Sequence, residues 1–249
     1  MMGRSHVVLS SLVWLAAAPL GCKLAGHPLS NPEVVASTVV AGASALLPDW
    51  DHPTATMSKT LGPASKLIAL GIRKLFGGHR RGTHNLFTCL GLGALTAALV
   101  LVPNHVGTVT LPRSWAVFAL AGFLAYTLML MFGLSVSKRS GLGDGIYLAQ
   151  AAVLVAMAVW LIPGLWWWMP LAVTFGALMH CLEDMCTDGG LSAFLLPLAR
   201  VRLHIPLSGV TGGFREAVIA AAGFVALLWV AYATVQGRVW WNITWLWAS

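Results

Sequence analysis

Apolar residues gather in seven stretches, near residues 7–20, 34–47, 86–102, 115–134, 146–162, 166–182 and 216–235. Apolar runs of this length predict helices, because strands need far fewer residues. A membrane crossing takes about 20 apolar residues. The first two stretches are short for an untilted crossing, so they are half-buried or extend past their visible ends. Pro163 and Gly164 split what would otherwise be one overlong run. The Trp-rich segment 166–169 then reads as an aromatic girdle at the lipid boundary. Residues 62–76 carry apolar positions at helical spacing with Lys66, Arg73 and Lys74 among them. This segment predicts an amphipathic helix on the anionic inner leaflet, or equally a solvated loop helix.

Composition narrows the class. Apolar residues make up 58% of the 249 and charged residues 9%, against about 45–50% and 25% in a soluble domain. An ordinary soluble enzyme, a disordered chain and a coiled coil are excluded. The fold class is therefore all-α: a polytopic helical membrane protein of about seven spans, read as one domain over 1–249. The start resembles a signal peptide, with a basic residue, an apolar run and small residues, but further spans follow and favour a retained first crossing. The four cysteines form no CxxC pair and read as small apolar fillers.

The net charge of +7 gains meaning when it is divided among loops. With the N-terminus inside and all seven segments crossing, twelve Lys and Arg fall inside and three (Lys23, Arg113, Arg238) outside, a strong positive-inside bias. That topology predicts a cytoplasmic N-terminus in a bacterial inner membrane. It also puts loop 48–85 and segment 180–215 on the same, cytoplasmic face, and leaves the C-terminus as an outer aromatic stub.

Five of the only eight acidic residues fall in two short clusters on that face. In LLPDWDHP (46–53), Pro48 ends a helix, and Asp49, Asp51 and His52 follow at once. Two carboxylates one residue apart repel unless a cation lies between them, and oxygen ligands with imidazole suit Zn²⁺, Mn²⁺ or Fe²⁺. An Asx-type turn satisfies the same residues without an ion. In GGHRRGTHN (77–85), His79 and His84 bracket Arg80 and Arg81, which could clamp an anion; the competing reading is a basic membrane anchor. Thr83 is placed to cap the helix that begins near Asn85. In MHCLEDMCTDGG (179–190), His180 and Asp184 lie four apart on one helical face, with Asp188 just beyond. Such residues at the end of an apolar helix are costly without partners. His6, just before the first span, reads on its own as an interfacial histidine. Together Asp49, Asp51, His52, His79, His84, His180, Asp184 and Asp188 offer eight potential ligands, enough for two ions.

In these motifs the chain resembles the YdjM-like family, described as LexA-binding, inner-membrane-associated metal-dependent hydrolases. Its D-x-D-H falls on Asp49, Asp51 and His52, its H-R-G-x-T-H-S element on His79 and His84, and its H-x-x-x-D-x-x-T-x-x-G on His180, Asp184, Thr187 and Gly190. Ser5-His6 stands where the family has Thr-His, which implies a ligand role for His6. Two departures occur: Asn85 replaces a Ser, and one extra Arg enters HRRGTH. A looser likeness to zinc-dependent phospholipase C and related nucleases points toward phosphoesters.

The resulting expectation is a membrane metallohydrolase. One or two divalent ions, zinc first, would be held by His6, Asp49, Asp51, His79, His84, His180 and Asp184. His52 or Asp188 would act as base, and Arg80 and Arg81 would hold an anionic or lipid-linked substrate. Two rivals stand beside it. One is a non-catalytic protein with a structural ion whose basic loop binds a soluble regulatory partner, a repressor by the family's description. The other is a metal transporter, disfavoured because the spans carry almost no polar ligands at mid-depth. Membrane lipid is an expected partner and direct nucleic-acid binding is not.

Overall fold

The computed structural model describes the chain outside residues 81, 103–104, 107–108, 111–114, 135–144, 163–165, 193, 196–201, 239 and 241–249. Arg81, the Pro163-Gly164 break and the end of the aromatic stub therefore lie outside the described residues. The described residues form eight α-helices: α1 (Gly3–Leu24), α2 (Asn31–Ser44), α3 (Pro63–Leu75), α4 (Leu86–Val100), α5 (Trp115–Phe132), α6 (Gly145–Leu161), α7 (Met169–Met185) and α8 (Phe214–Val235). Every apolar stretch is a helix, and the amphipathic segment is α3. Two pairs of two-residue antiparallel strands, 105–106 with 109–110 and 191–192 with 202–203, and an isolated parallel bridge between Thr187 and Gly209 are the β structure among these residues.

Local signals explain the boundaries. Ser30 and Glu33 form a reciprocal capping box at the start of α2, with Pro32 in its first turn. Pro48 ends that helix and opens a 3-10 turn, Pro48–Asp51. The cap of α4 is Asn85, whose side chain accepts from the Thr88 amide at 2.8 Å. Thr83, the expected cap, lies two residues too early, and its hydroxyl is engaged elsewhere. Asn and Ser cap helices about equally well, so the Asn85 departure leaves this role intact.

Helix α7 is the centre of the bundle. It packs on α1, α2 and α4, while α1 also meets α2 and α8, and α5 pairs with α6. Small residues allow the close crossings. A Cβ on Gly176 of α7 would fall 2.1 Å from the Ala41 carbonyl oxygen of α2, and one on Gly42 would fall 2.2 Å from Ser11 Oγ of α1.

Among the described residues three helices, α1, α5 and α8, are long and apolar enough to cross a membrane; Leu86–Leu101 and Ala149–Leu161 are apolar but shorter. Large side chains stand exposed along α8, Phe214, Val225 and Val235 among them, as expected of a surface that meets lipid rather than water. The Trp-rich segment departs from expectation. Trp166 and Trp168 stack at 5.5 Å and are 2% and 0% exposed. They close the core against α2, α5 and α6 instead of forming a girdle, because the turn into α7 directs them inward.

Candidate metal centre

Four elements bring their ends to one pole of the bundle: the start of α1, the end of α2 with its 3-10 turn, the start of α4 and the end of α7. There the predicted residues converge. Asp49 Oδ1 lies 3.5 Å from His84 Nε2 and 3.6 Å from His180 Nε2. Asp184 Oδ2 lies 3.9 and 3.7 Å from the same two nitrogens, which face each other at 3.1 Å. Two three-residue groups could each hold an ion, His6 with His180 and Asp184, and Asp49 with His79 and His84; within each, one donor atom per residue lies within 4.8 Å of the others. They meet along the His84–His180 edge.

The hydrogen-bond partners fix which nitrogens are free. The Thr83 hydroxyl donates its one proton to Asp51 Oδ2 at 2.6 Å, so its oxygen must accept from His84 Nδ1 at 2.8 Å. A neutral His84 then has a bare lone pair on Nε2, aimed at two carboxylates and a second imidazole. In the same way His6 Nδ1 donates to Glu183 Oε2 at 2.6 Å, which in the neutral ring leaves a lone pair on Nε2, a buried atom with no hydrogen bond, 3.5 Å from Asp184 Oδ1. Lone pairs facing carboxylates repel unless a cation or proton intervenes; at Asp184 the Met1 ammonium on Oδ1 and the Arg80 guanidinium already supply positive charge, whereas at Asp49 the histidines are the near groups. In a tetrahedral site with bonds of about 2.0–2.1 Å, neighbouring donor atoms are about 3.3 Å apart. The separations around His84 and His180, 3.1 to 3.9 Å, match that edge. The donor set therefore fits a divalent cation.

Asp51 is fully buried and stands behind the ligand atoms. It accepts from His79 Nδ1 at 2.9 Å on one oxygen and from Thr83 on the other, so it orients two histidines and belongs to neither group. Glu183 does the same for His6 and also accepts from Ser10 Oγ at 3.2 Å. Carboxylate–histidine pairs of this kind tune metal ligands. Sequence spacing passed over Glu183 because it points away from the His180–Asp184 face. The available signal was the cost of an acid at the end of an apolar helix with a histidine on another. Glu216 was also missed. It accepts from Ser5 Oγ and the Met2 amide, both at 2.6 Å, and from the Gly212 amide at 2.8 Å, which ties the first turn of α1 to α8 beside His6.

Arg80 sits at φ 59°, the one non-glycine with positive φ among the described residues, a strained conformation. Its Nε and Nη2 donate to the two oxygens of Asp184, each at 3.0 Å, and Nη1 reaches the Gly190 carbonyl at 3.4 Å. The guanidinium is directed at the cluster, where a free anion clamp was expected. His52 edges against His79, with ring centroids 4.6 Å apart. Its Nδ1 accepts from the Thr54 amide at 3.3 Å, so its proton lies on Nε2 and it offers a donor rather than the expected base. Burial and the neighbouring His79 hold its pKa below the ordinary imidazole range, against the pull of Asp49 and Asp51. Asp188 is exposed, and among the described residues nothing ties its carboxylate to the cluster. Burial pushes Asp49 up, but when His180, His84 and His6 carry protons their charge outweighs it and holds the carboxyl well below the usual range.

A cavity of about 490 Å³ lies against this pole. Asp49, His52, His79, Arg80 and Asp184 form one side, and Leu46, Met57 and Met131 contribute apolar surface. Fold and site together define an all-helical membrane protein with a histidine–aspartate cluster that could bind a metal ion. The whole chain, residues 1–249, matches the family model described as YdjM inner membrane protein, and it belongs to that family. Neither a curated protein nor a solved structure matches it.

Proposed function

We propose that the protein is a membrane-bound metal-dependent hydrolase acting on a phosphoester or lipid-linked phosphoester. In this reading all seven apolar segments cross the inner membrane, and the centre faces the cytoplasm. The observation that carries the proposal is the opening of the ligand cluster onto a 490 Å³ cavity with mixed polar and apolar walls, a size and lining suited to a small ligand. His6, His180 and Asp184, with Asp49, His79 and His84, would hold one or two ions, zinc being favoured by the nitrogen and oxygen donors. Bound zinc supplies a water whose pKa falls to about 7. The chain's own groups prepare the site. Asp51 and Thr83 fix His84, Glu183 fixes His6, and Arg80 holds Asp184 in place. His52 presents an Nε2–H to the cavity, fit to donate to a leaving or non-bridging oxygen.

Purified full-length protein loaded with Zn²⁺ or Mn²⁺ should hydrolyse bis(p-nitrophenyl) phosphate, and His84→Ala and Asp184→Asn should each abolish turnover. Full activity in both variants would sink the assignment. A second reading, a structural ion in a membrane protein that docks a soluble regulatory partner, draws on the His52 lone pair already being taken and Asp188 lying apart. Stoichiometric metal with no turnover would favour it.

A further inference from the structure

Helix α3 packs with the opposite polarity to a soluble surface helix. Its residues step about 100° apart and divide into three sectors. The protein-facing sector is narrow and small: Ser65 and Ala69 are buried and Ile72 half-buried. They rest on the 3-10 turns Pro48–Asp51 and Met57–Lys59. A second sector, through Leu67, Ile68 and Leu75, is apolar, and these residues are 71%, 44% and 82% exposed. The third carries Arg73 and Lys66, then Leu70, 55% exposed, with Lys74 at its border with the apolar sector beside Leu67. In a soluble helix the large leucines would face the core; here they face outward, where none of the described residues covers them.

Charge selects the occupant. No acidic residue occurs between Asp51 and Asp144, whereas Lys59, Lys66, Arg73 and Lys74 occur within this segment. An apolar stripe bordered by cations, at the pole of a bundle whose other helices are apolar, fits the headgroup layer of an anionic bilayer. We infer that α3 is an interfacial helix that binds anionic phospholipid, with Leu67, Ile68 and Leu75 among the upper acyl chains and Lys66, Arg73 and Lys74 among the phosphates. Because α3 rests on the turn that bears Asp49 and Asp51, this contact also fixes the bilayer surface relative to the metal centre. The inference goes beyond the hydrolase reading and stands whether or not the site turns over substrate.

The test uses the full-length protein in nanodiscs of phosphatidylcholine alone or mixed with phosphatidylglycerol. In a Cys22→Ser/Cys186→Ser background, a nitroxide is placed at Leu67→Cys, Leu75→Cys, Lys66→Cys or Arg73→Cys, all exposed positions that leave the packed sector intact. Oxygen access relative to a water-soluble nickel chelate should be several-fold higher at 67 and 75 than at 66 and 73. Phosphatidylglycerol should raise the ratio at 67 and 75 further, and Lys66→Gln/Arg73→Gln/Lys74→Gln should erase that increase. Preferential access of the chelate at 67 and 75 would overturn the inference. So would equal ratios in the two lipids, or shielding of 67 and 75 from both reagents, which would mean that protein covers the face.

Discussion

One hydroxyl proton decides how His84 presents itself. Thr83 Oγ1 donates to Asp51 and accepts from His84 Nδ1, so the imidazole is locked with Nε2 toward the cluster. Thr83→Val keeps the shape and removes the relay. Zinc affinity, measured by competition with a chromophoric chelator, should fall about 10- to 100-fold, while Thr83→Ser should retain it. Proton competition divides differently between residue types. Asp49 is held below the carboxylate range, so its stabilising contribution is complete above the ordinary carboxylate pKa and is lost only as pH falls through that range and below. The protons that displace an ion at mildly acidic pH therefore enter ligands other than Asp49. Asp49→Asn should lower zinc affinity at every pH yet leave the midpoint of its pH dependence in place, as isothermal titration at several pH values would show.

At the scale of the element, the close crossings limit what the helices tolerate. Gly176→Leu would drive a side chain into the α2 backbone at Ala41, where overpacking costs about 1–3 kcal/mol or more. Thermal unfolding in detergent should show a lower midpoint and, because α7 carries His180 and Asp184, weaker zinc binding as well. The helices themselves were legible in the sequence: each apolar run falls on a helix and Pro48 marks the turn after one, although the ends shift by several residues, from 7–20 to Gly3–Leu24 in α1. Side-chain direction was not. Trp166 and Trp168 carry the signature of a lipid-boundary girdle but stack inside, since composition does not say which way a turn faces. The centre was read in part for a similar reason. Four-residue spacing on α7 finds His180 and Asp184, whereas Glu183 acquires its role only from His6 on another helix, and Thr83 only from Asp51 across the loop.

For the whole molecule, the centre is a clasp among α1, α2, α4 and α7. Binding restricted to the folded state adds stability that grows with ion concentration, about 2.7 kcal/mol at a hundredfold excess over Kd. Zinc should therefore raise the thermal midpoint of the intact protein and EDTA should reverse it, with neither effect in His84→Ala/His180→Ala. The separation of the donors along the chain has a consequence for biogenesis. His6 and Glu183 are 177 positions apart, and His84 and His180 are 96 apart. A nascent chain halted by the ribosome before α7 would carry Asp49, His79 and His84 but could not close the shared edge. An ion gripped by His180 and Asp184 could then enter only after insertion of the seventh helix, late in synthesis, and its capture would mark a chain whose helices have already found their neighbours.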